Sequence, residues 1–175
     1  MLKKVNPIIV IVLLTVVVLI IGVFFVTKQT SPKPPEQQGL LGEYVPEQGR
    51  EHIPEGSPHE QYSSNPPTSG SHHTQPQEAG IYDNELPDEY LVHNLEHGHV
   101  WISYKTSSAS AELVENLKQV AKENARLVVL TPREKNDSLI ALASWTRLLK
   151  LDQFDKDKIV DFIKTNRGHA PEFVP

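Results

Sequence analysis

Apolar residues run almost unbroken from Ile8 to Val26, interrupted only by Thr15 and Gly22, and no later stretch of the chain repeats that pattern. The run matches the ~20 helical residues that a bilayer core requires. Lys3 and Lys4 precede it, so the positive-inside bias places the N-terminus in the cytoplasm and the rest of the chain outside. The expected organisation is a cytoplasmic tail at 1–6, a transmembrane anchor at 7–27, a stalk at 28–48 and one extracytoplasmic domain at 49–175, giving a single-pass protein of the cell membrane. The competing reading, a cleaved signal peptide, has a shorter apolar core of ~7–15 residues ending in small residues. Phe24-Phe25-Val26-Thr27-Lys28 offers no such site.

Beyond the apolar run the periodicity changes twice. Thr27 to about Gln48 is polar and proline-rich, a composition that cannot bury a core and favours extended backbone. Arg50 to about Pro87 is rich in Pro, Gly, Ser and His and follows neither the helical nor the strand period, so it reads as ordered loop or disorder. Regular patterns begin at Val100-Trp101-Ile102-Ser103-Tyr104, which has strand composition. Ala109 to Ala125 places Leu113, Leu117 and Val120 at helical spacing. Leu127 to Leu130 and Leu139 to Trp145 read as strands, so that both Trp101 and Trp145 fall in strands. Phe154 to Thr165 closes the chain as a helix with Ile159, Phe162 and Ile163 inward.

The fold class expected is therefore α+β, a small mixed sheet in the order strand-helix-strand-strand-helix. It follows the transmembrane helix and a histidine- and proline-rich loop region. A helix between the first two strands makes them parallel, and the short turn near Asn136 predicts an antiparallel pair for the next two.

Composition narrows the chemistry. There is no cysteine, hence no disulfide, thiolate metal site or cysteine nucleophile. Assigning Lys3, Lys4 and Lys28 to the membrane flanks leaves 14 basic against 22 acidic residues outside, about −8, which repels nucleic acid and anionic lipid. The membrane, through residues 7–27, and a metal ion are the expected partners.

Seven of the eight histidines lie between His52 and His99. His93-Asn94-Leu95-Glu96-His97 is an H-x-x-E-H string, which on a helix sets both imidazoles on one face, one turn apart, ready to share a zinc ion, with Glu96 placed to activate a bound water. Pro87, Asp88 and Glu89 can open such a helix and Gly98 can close it. Tyr90–His93 and His99–Ile102 can equally form a hairpin. With His72 added to the pair, three imidazoles make a ligand set suited to zinc or copper(II), while the single methionine argues against a thioether copper(I) site. Asn65 to His72 has turn chemistry throughout and lacks phosphate-loop and nucleophile-elbow patterns, so Ser69 and Ser71 read as structural.

Three motifs, His52-Ile53-Pro54-Glu55-Gly56, Pro66-Pro67-Thr68-Ser69-Gly70-Ser71-His72 and Val92-His93-Asn94-Leu95-Glu96-His97-Gly98, resemble those of the domain of unknown function 3105 family. The similarity extends over about residues 50–175, including Gly80-Ile81-Tyr82-Asp83, Ala143-Ser144-Trp145 and Pro171-Glu172. The resemblance implies a membrane-anchored, mostly bacterial, extracytoplasmic domain. The family's histidines fall on His52, His72, His93 and His97, with Asn94 and Glu96 beside them. This chain departs from the family pattern at His99, where a glycine is usual, and at His73, where an aromatic is usual.

The functional expectation is a membrane-tethered domain binding zinc or copper(II) through His52, His72, His93 and His97. Two alternatives stand beside it: a metal-dependent hydrolase of cell-envelope material with Glu96 as catalytic base, and a non-catalytic interaction module.

Overall fold

The computed structural model describes residues 39–172. The expected tail, the anchor and most of the stalk lie outside that range. Among the described residues no helix is long and apolar enough to cross a membrane.

Among the described residues the fold is mixed α+β, with eleven elements in the order β1 (Glu43–Tyr44), β2 (His52–Ile53), β3 (His72–His73), β4 (Gly80–Ile81), α1 (Asp88–Glu96), β5 (Val100–Tyr104), α2 (Ala111–Glu123), β6 (Val128–Pro132), β7 (Ile140–Ser144), β8 (Arg147–Leu151) and α3 (Lys156–Asn166). The helices start where the sequence supplies caps. The Ser110 side chain accepts from the Leu113 N–H at 3.1 Å, and the Asp155 carboxylate accepts from the Lys158 N–H at 3.1 Å. Each such cap contributes about 1 kcal/mol. Leu113, Leu117 and Val120 bury one face of α2, and Ile159, Phe162 and Ile163 bury one face of α3, as their spacing predicts.

Six strands form one sheet in the order β1-β8-β7-β5-β6-β4. β5 and β6 are parallel across the α2 connection, as expected. The expected antiparallel pairing of the next strand with β6 is not found. β7 instead pairs antiparallel with β5, because β4 already holds the far edge of β6 and leaves the other edge of β5 open. The connection therefore passes over the end of β5, where the Arg133 N–H donates to the Tyr104 carbonyl at 2.8 Å and the Lys105 N–H to that of Leu139 at 2.9 Å. Trp145 is not in a strand either. It lies in the turn between β7 and β8, a strand the periodicity did not reveal, and its indole N–H donates to Glu47 at 3.1 Å.

The central strands are buried on both faces, which is why β5, β6 and β7 read as continuous apolar runs rather than alternating ones. Val100, Ile102, Leu130, Ile140 and Leu142 pack against α2 and α3. The alternate residues Trp101, Val129 and Ala143 pack with Leu91, Val92 and Leu95 of α1 on the opposite face. Helix α1 is thereby pinned to the sheet by three fully buried side chains, each contributing about 1.5–3 kcal/mol.

The segment from Arg50 to Pro87 is ordered by hydrogen bonds and by Tyr62, Tyr82 and Leu86, which pack against the core on the α1 side of the sheet. Ser69 Oγ accepts from the Gln48 N–H at 2.9 Å, and the Tyr62 hydroxyl donates to the Ser71 carbonyl at 2.7 Å, consistent with the structural reading of this loop. Two buried asparagines act as clasps. Asn166 accepts from the Leu41 N–H and donates to the Leu41 carbonyl, both at 2.9 Å, which carries the fold back into the expected stalk and places β1 on the sheet edge. Asn94 does the same for Gln77, at 2.9 and 2.7 Å, tying the β3–β4 loop to α1.

Candidate metal site

The histidine segments meet at the C-terminal end of α1. The helical alternative for residues 88–97 holds and the hairpin does not: Leu91, Val92 and Leu95 recur at the helical period and bury one face. Two backbone bonds, from Gly98 N–H to the Leu95 carbonyl at 3.0 Å and from His99 N–H to that of Asn94 at 3.0 Å, close the helix. This is the Schellman arrangement, which Gly98 accommodates at φ +82°. One turn apart on this helix, His93 and His97 bring their Nε2 atoms to 2.8 Å.

The parallel pair β2–β3 supplies the other two imidazoles. His52 stands opposite His72, so both side chains project to the same face of the little sheet. Ring centres of His52, His72 and His93 form a near-equilateral triangle with sides of 4.7, 5.0 and 5.1 Å. Three imidazoles holding one tetrahedral zinc would have ring centres about 5 Å apart. One ring nitrogen from each of the three lies within 4.8 Å of the others, so these three residues can hold a metal ion. His72 and His93 are buried and His52 is exposed, which gives the cluster one side open to solvent.

The outer nitrogens of three rings are fixed by main-chain carbonyls. His72 Nδ1 lies 2.8 Å from the Gly70 carbonyl, His93 Nδ1 2.6 Å from that of His73, and His97 Nδ1 3.1 Å from that of Glu172. A carbonyl can only accept, so each Nδ1 carries a hydrogen and each ring turns its Nε2 inward. Carbonyl-anchored Nδ1–H groups are the usual orienting partners of metal-ligating histidines. Burial pushes the His93 imidazole down to about 4, against the opposing effect of its hydrogen bond to the His73 carbonyl, so near neutral pH this ring carries a single proton, on Nδ1.

Glu96 completes the cluster and is wholly buried. Its Oε2 lies 2.9 Å from His72 Nε2 and 3.7 Å from His52 Nε2, while Oε1 has no hydrogen-bond partner. Four histidines and one carboxylate thus gather at the C-terminal end of α1, with His52, His72 and His93 the three close enough together to hold a metal ion.

The remaining histidines lie elsewhere. His59 Nε2 is 3.2 Å from Glu89, the His73 ring stacks on Tyr90, and His99 Nδ1 donates to the Asn94 carbonyl. Three contacts at the site could not be read from the sequence, although Asn94, Glu96, His72 and His97 stand in the family motifs: the Asn94 clasp on Gln77, the approach of Glu96 to His72, and the support of His97 by Glu172. Glu172 both accepts from His97 and donates its N–H to the Glu96 carbonyl at 3.1 Å.

Fold and site together define a small α+β domain that carries a partly buried histidine–carboxylate cluster at one end of a helix. The chain belongs to the family described as protein of unknown function (DUF3105), whose model matches residues 53–174 and so begins one residue after His52. No curated protein and no solved structure matches the chain.

Proposed function

We propose that this protein is a membrane-anchored, extracytoplasmic domain that binds a divalent transition metal, zinc or copper(II), through His52, His72, His93 and His97. The observation that carries the reading is the orientation of three of these rings: with Nδ1 bonded to the carbonyls of Gly70, His73 and Glu172, each turns its Nε2 toward the cluster. Imidazole nitrogens are ligands that zinc and copper(II) both accept, and the absence of cysteine leaves no softer set to compete. Rigid positioning on α1 and the β2–β3 pair lowers the reorganisation needed for binding. The anchor at 7–27 and the acidic surface support a place outside the membrane, tethered to it.

Elemental analysis and calorimetric titration with zinc and copper(II), on the wild-type chain and on a His93→Ala/His97→Ala variant, test the proposal. One equivalent of metal in the wild type and none in the variant is the expected result. Metal-free protein that takes up neither ion would overturn the proposal and leave the cluster as a hydrogen-bonded knot serving an interaction module. Protease accessibility of the C-terminal domain in intact cells tests the placement, the domain being degraded if it lies outside and protected if it does not.

A further inference from the structure

The role of Glu96 follows from where its oxygens lie. A general base for a metal-bound water sits behind that water, one atom further from the ion than the ligands are. Ligands that share a tetrahedral zinc, each ~2.0–2.1 Å from it, are about 3.3 Å from one another. Oε2 is 2.9 Å from His72 Nε2 and 3.7 Å from His52 Nε2, which brackets the ligand-to-ligand spacing. Both residues reach this point from rigid backbone, His72 from β3 and Glu96 from the last turn of α1.

Burial points the same way. Glu96 is fully buried, and among the described residues its charged-group contacts are with His72 and His52, both through Oε2, while Oε1 has no hydrogen-bond partner. A buried carboxylate is costly unless it is paired or coordinates a metal. Three neutral imidazoles do not offset the two charges of a divalent ion, whereas a carboxylate in the shell removes one of them and gives Oε1 a role as a second contact.

Taking the metal-binding reading as its basis, we infer that Glu96 is itself a metal ligand, so that the centre is a mixed imidazole–carboxylate shell of His52, His72, His93 and Glu96. The hydrolase alternative needs Glu96 as a free base and loses that group. A mixed shell of this kind selects divalent ions of intermediate hardness and disfavours copper(I).

The test is calorimetric zinc titration of the full chain in detergent, as wild type and as Glu96→Gln, which keeps the shape and removes the charge, with the metal-free thermal transition of each recorded alongside. The expected result is zinc affinity lowered more than tenfold in Glu96→Gln, with a cooperative metal-free transition retained. A loss of less than tenfold would overturn the assignment. Absence of zinc binding in the wild type would overturn the underlying metal reading, a different outcome from the same titration. Should Glu96→Gln lack a cooperative transition, the infrared difference spectrum of the wild type, zinc-loaded minus metal-free, decides: carboxylate stretching bands characteristic of metal ligation support the inference, and their absence defeats it.

Discussion

Replacing Asn94 with leucine isolates how much of the site depends on the loop that carries the carbonyl partner of His93. Asn94 is completely buried, and its amide makes both hydrogen bonds to the Gln77 backbone, at 2.9 and 2.7 Å. Leucine has similar volume but neither donor nor acceptor, so two bonds of about 1 kcal/mol each are lost. The half-buried Gln77 N–H and carbonyl regain only part of their hydration beside an apolar side chain, which adds a further fraction of that cost. The total is about 2–3 kcal/mol, and at roughly 3 °C per kcal/mol for a domain of this size the thermal midpoint falls by about 6–9 °C. The same change releases the segment between His73 and Gln77, whose first carbonyl orients the His93 ring at 2.6 Å. Loss of such an orienting partner lowers metal affinity on the order of tenfold or more. Differential scanning calorimetry and zinc titration read the two effects separately. A variant whose midpoint and affinity both match the wild type would refute the claim that the clasp positions the loop.

Three further outcomes follow from the same structure. His93 is depressed to about 4 by burial, so the unfolded chain takes up a proton there first: the contribution is intact above pH ~6.5 and is lost as pH falls toward 4. The metal-free wild type should therefore lose on the order of 3 kcal/mol more than His93→Gln between those limits in urea titrations, and parallel profiles would count against it. Gly42→Ala places a Cβ 2.7 Å from the Leu148 carbonyl oxygen and 2.8 Å from the Phe162 ring at φ +86°, which should cost at least ~2 kcal/mol and free β1 from β8 in hydrogen exchange. An unchanged midpoint would show that the β1 edge adapts without strain. Arg133→Met removes a buried guanidinium that holds Asp88 through two bonds of 2.8 Å, leaving that carboxylate unpaired, and should destabilise by about 3 kcal/mol; an effect below 1 kcal/mol would mean water reaches Asp88.

How far the sequence discloses this molecule depends on element length and on contact range. β5, α2, β6, β7 and α3 each span enough residues for a period to show, and all five fall where the pattern places them. β1 and β4 have two residues each and carry no period, so their places are set by partners far along the chain, β8 and β6. β8 follows a two-residue turn in which Thr146 takes φ +58°, a conformation with no glycine or asparagine to announce it, and the apolar run therefore reads through Trp145 as if unbroken. The H-x-x-E-H string yields the His93–His97 contact because helical spacing alone fixes it. The approach of His52 to His72 depends on a parallel two-residue ladder, and that of Glu96 to His72 on the packing of α1 against β3, neither of which has a local signature.

The central claim is that imidazole nitrogens around α1 and the β2–β3 pair converge on one metal ion. X-ray absorption at the zinc edge, on the zinc-loaded full chain, tests it most directly. The account predicts a first shell at ~2.0–2.1 Å containing at least three imidazoles, seen as outer-ring scattering that disappears in the His93→Ala/His97→Ala variant. A first shell of oxygen scatterers without imidazole, or a spectrum that the double substitution leaves unchanged, would contradict it.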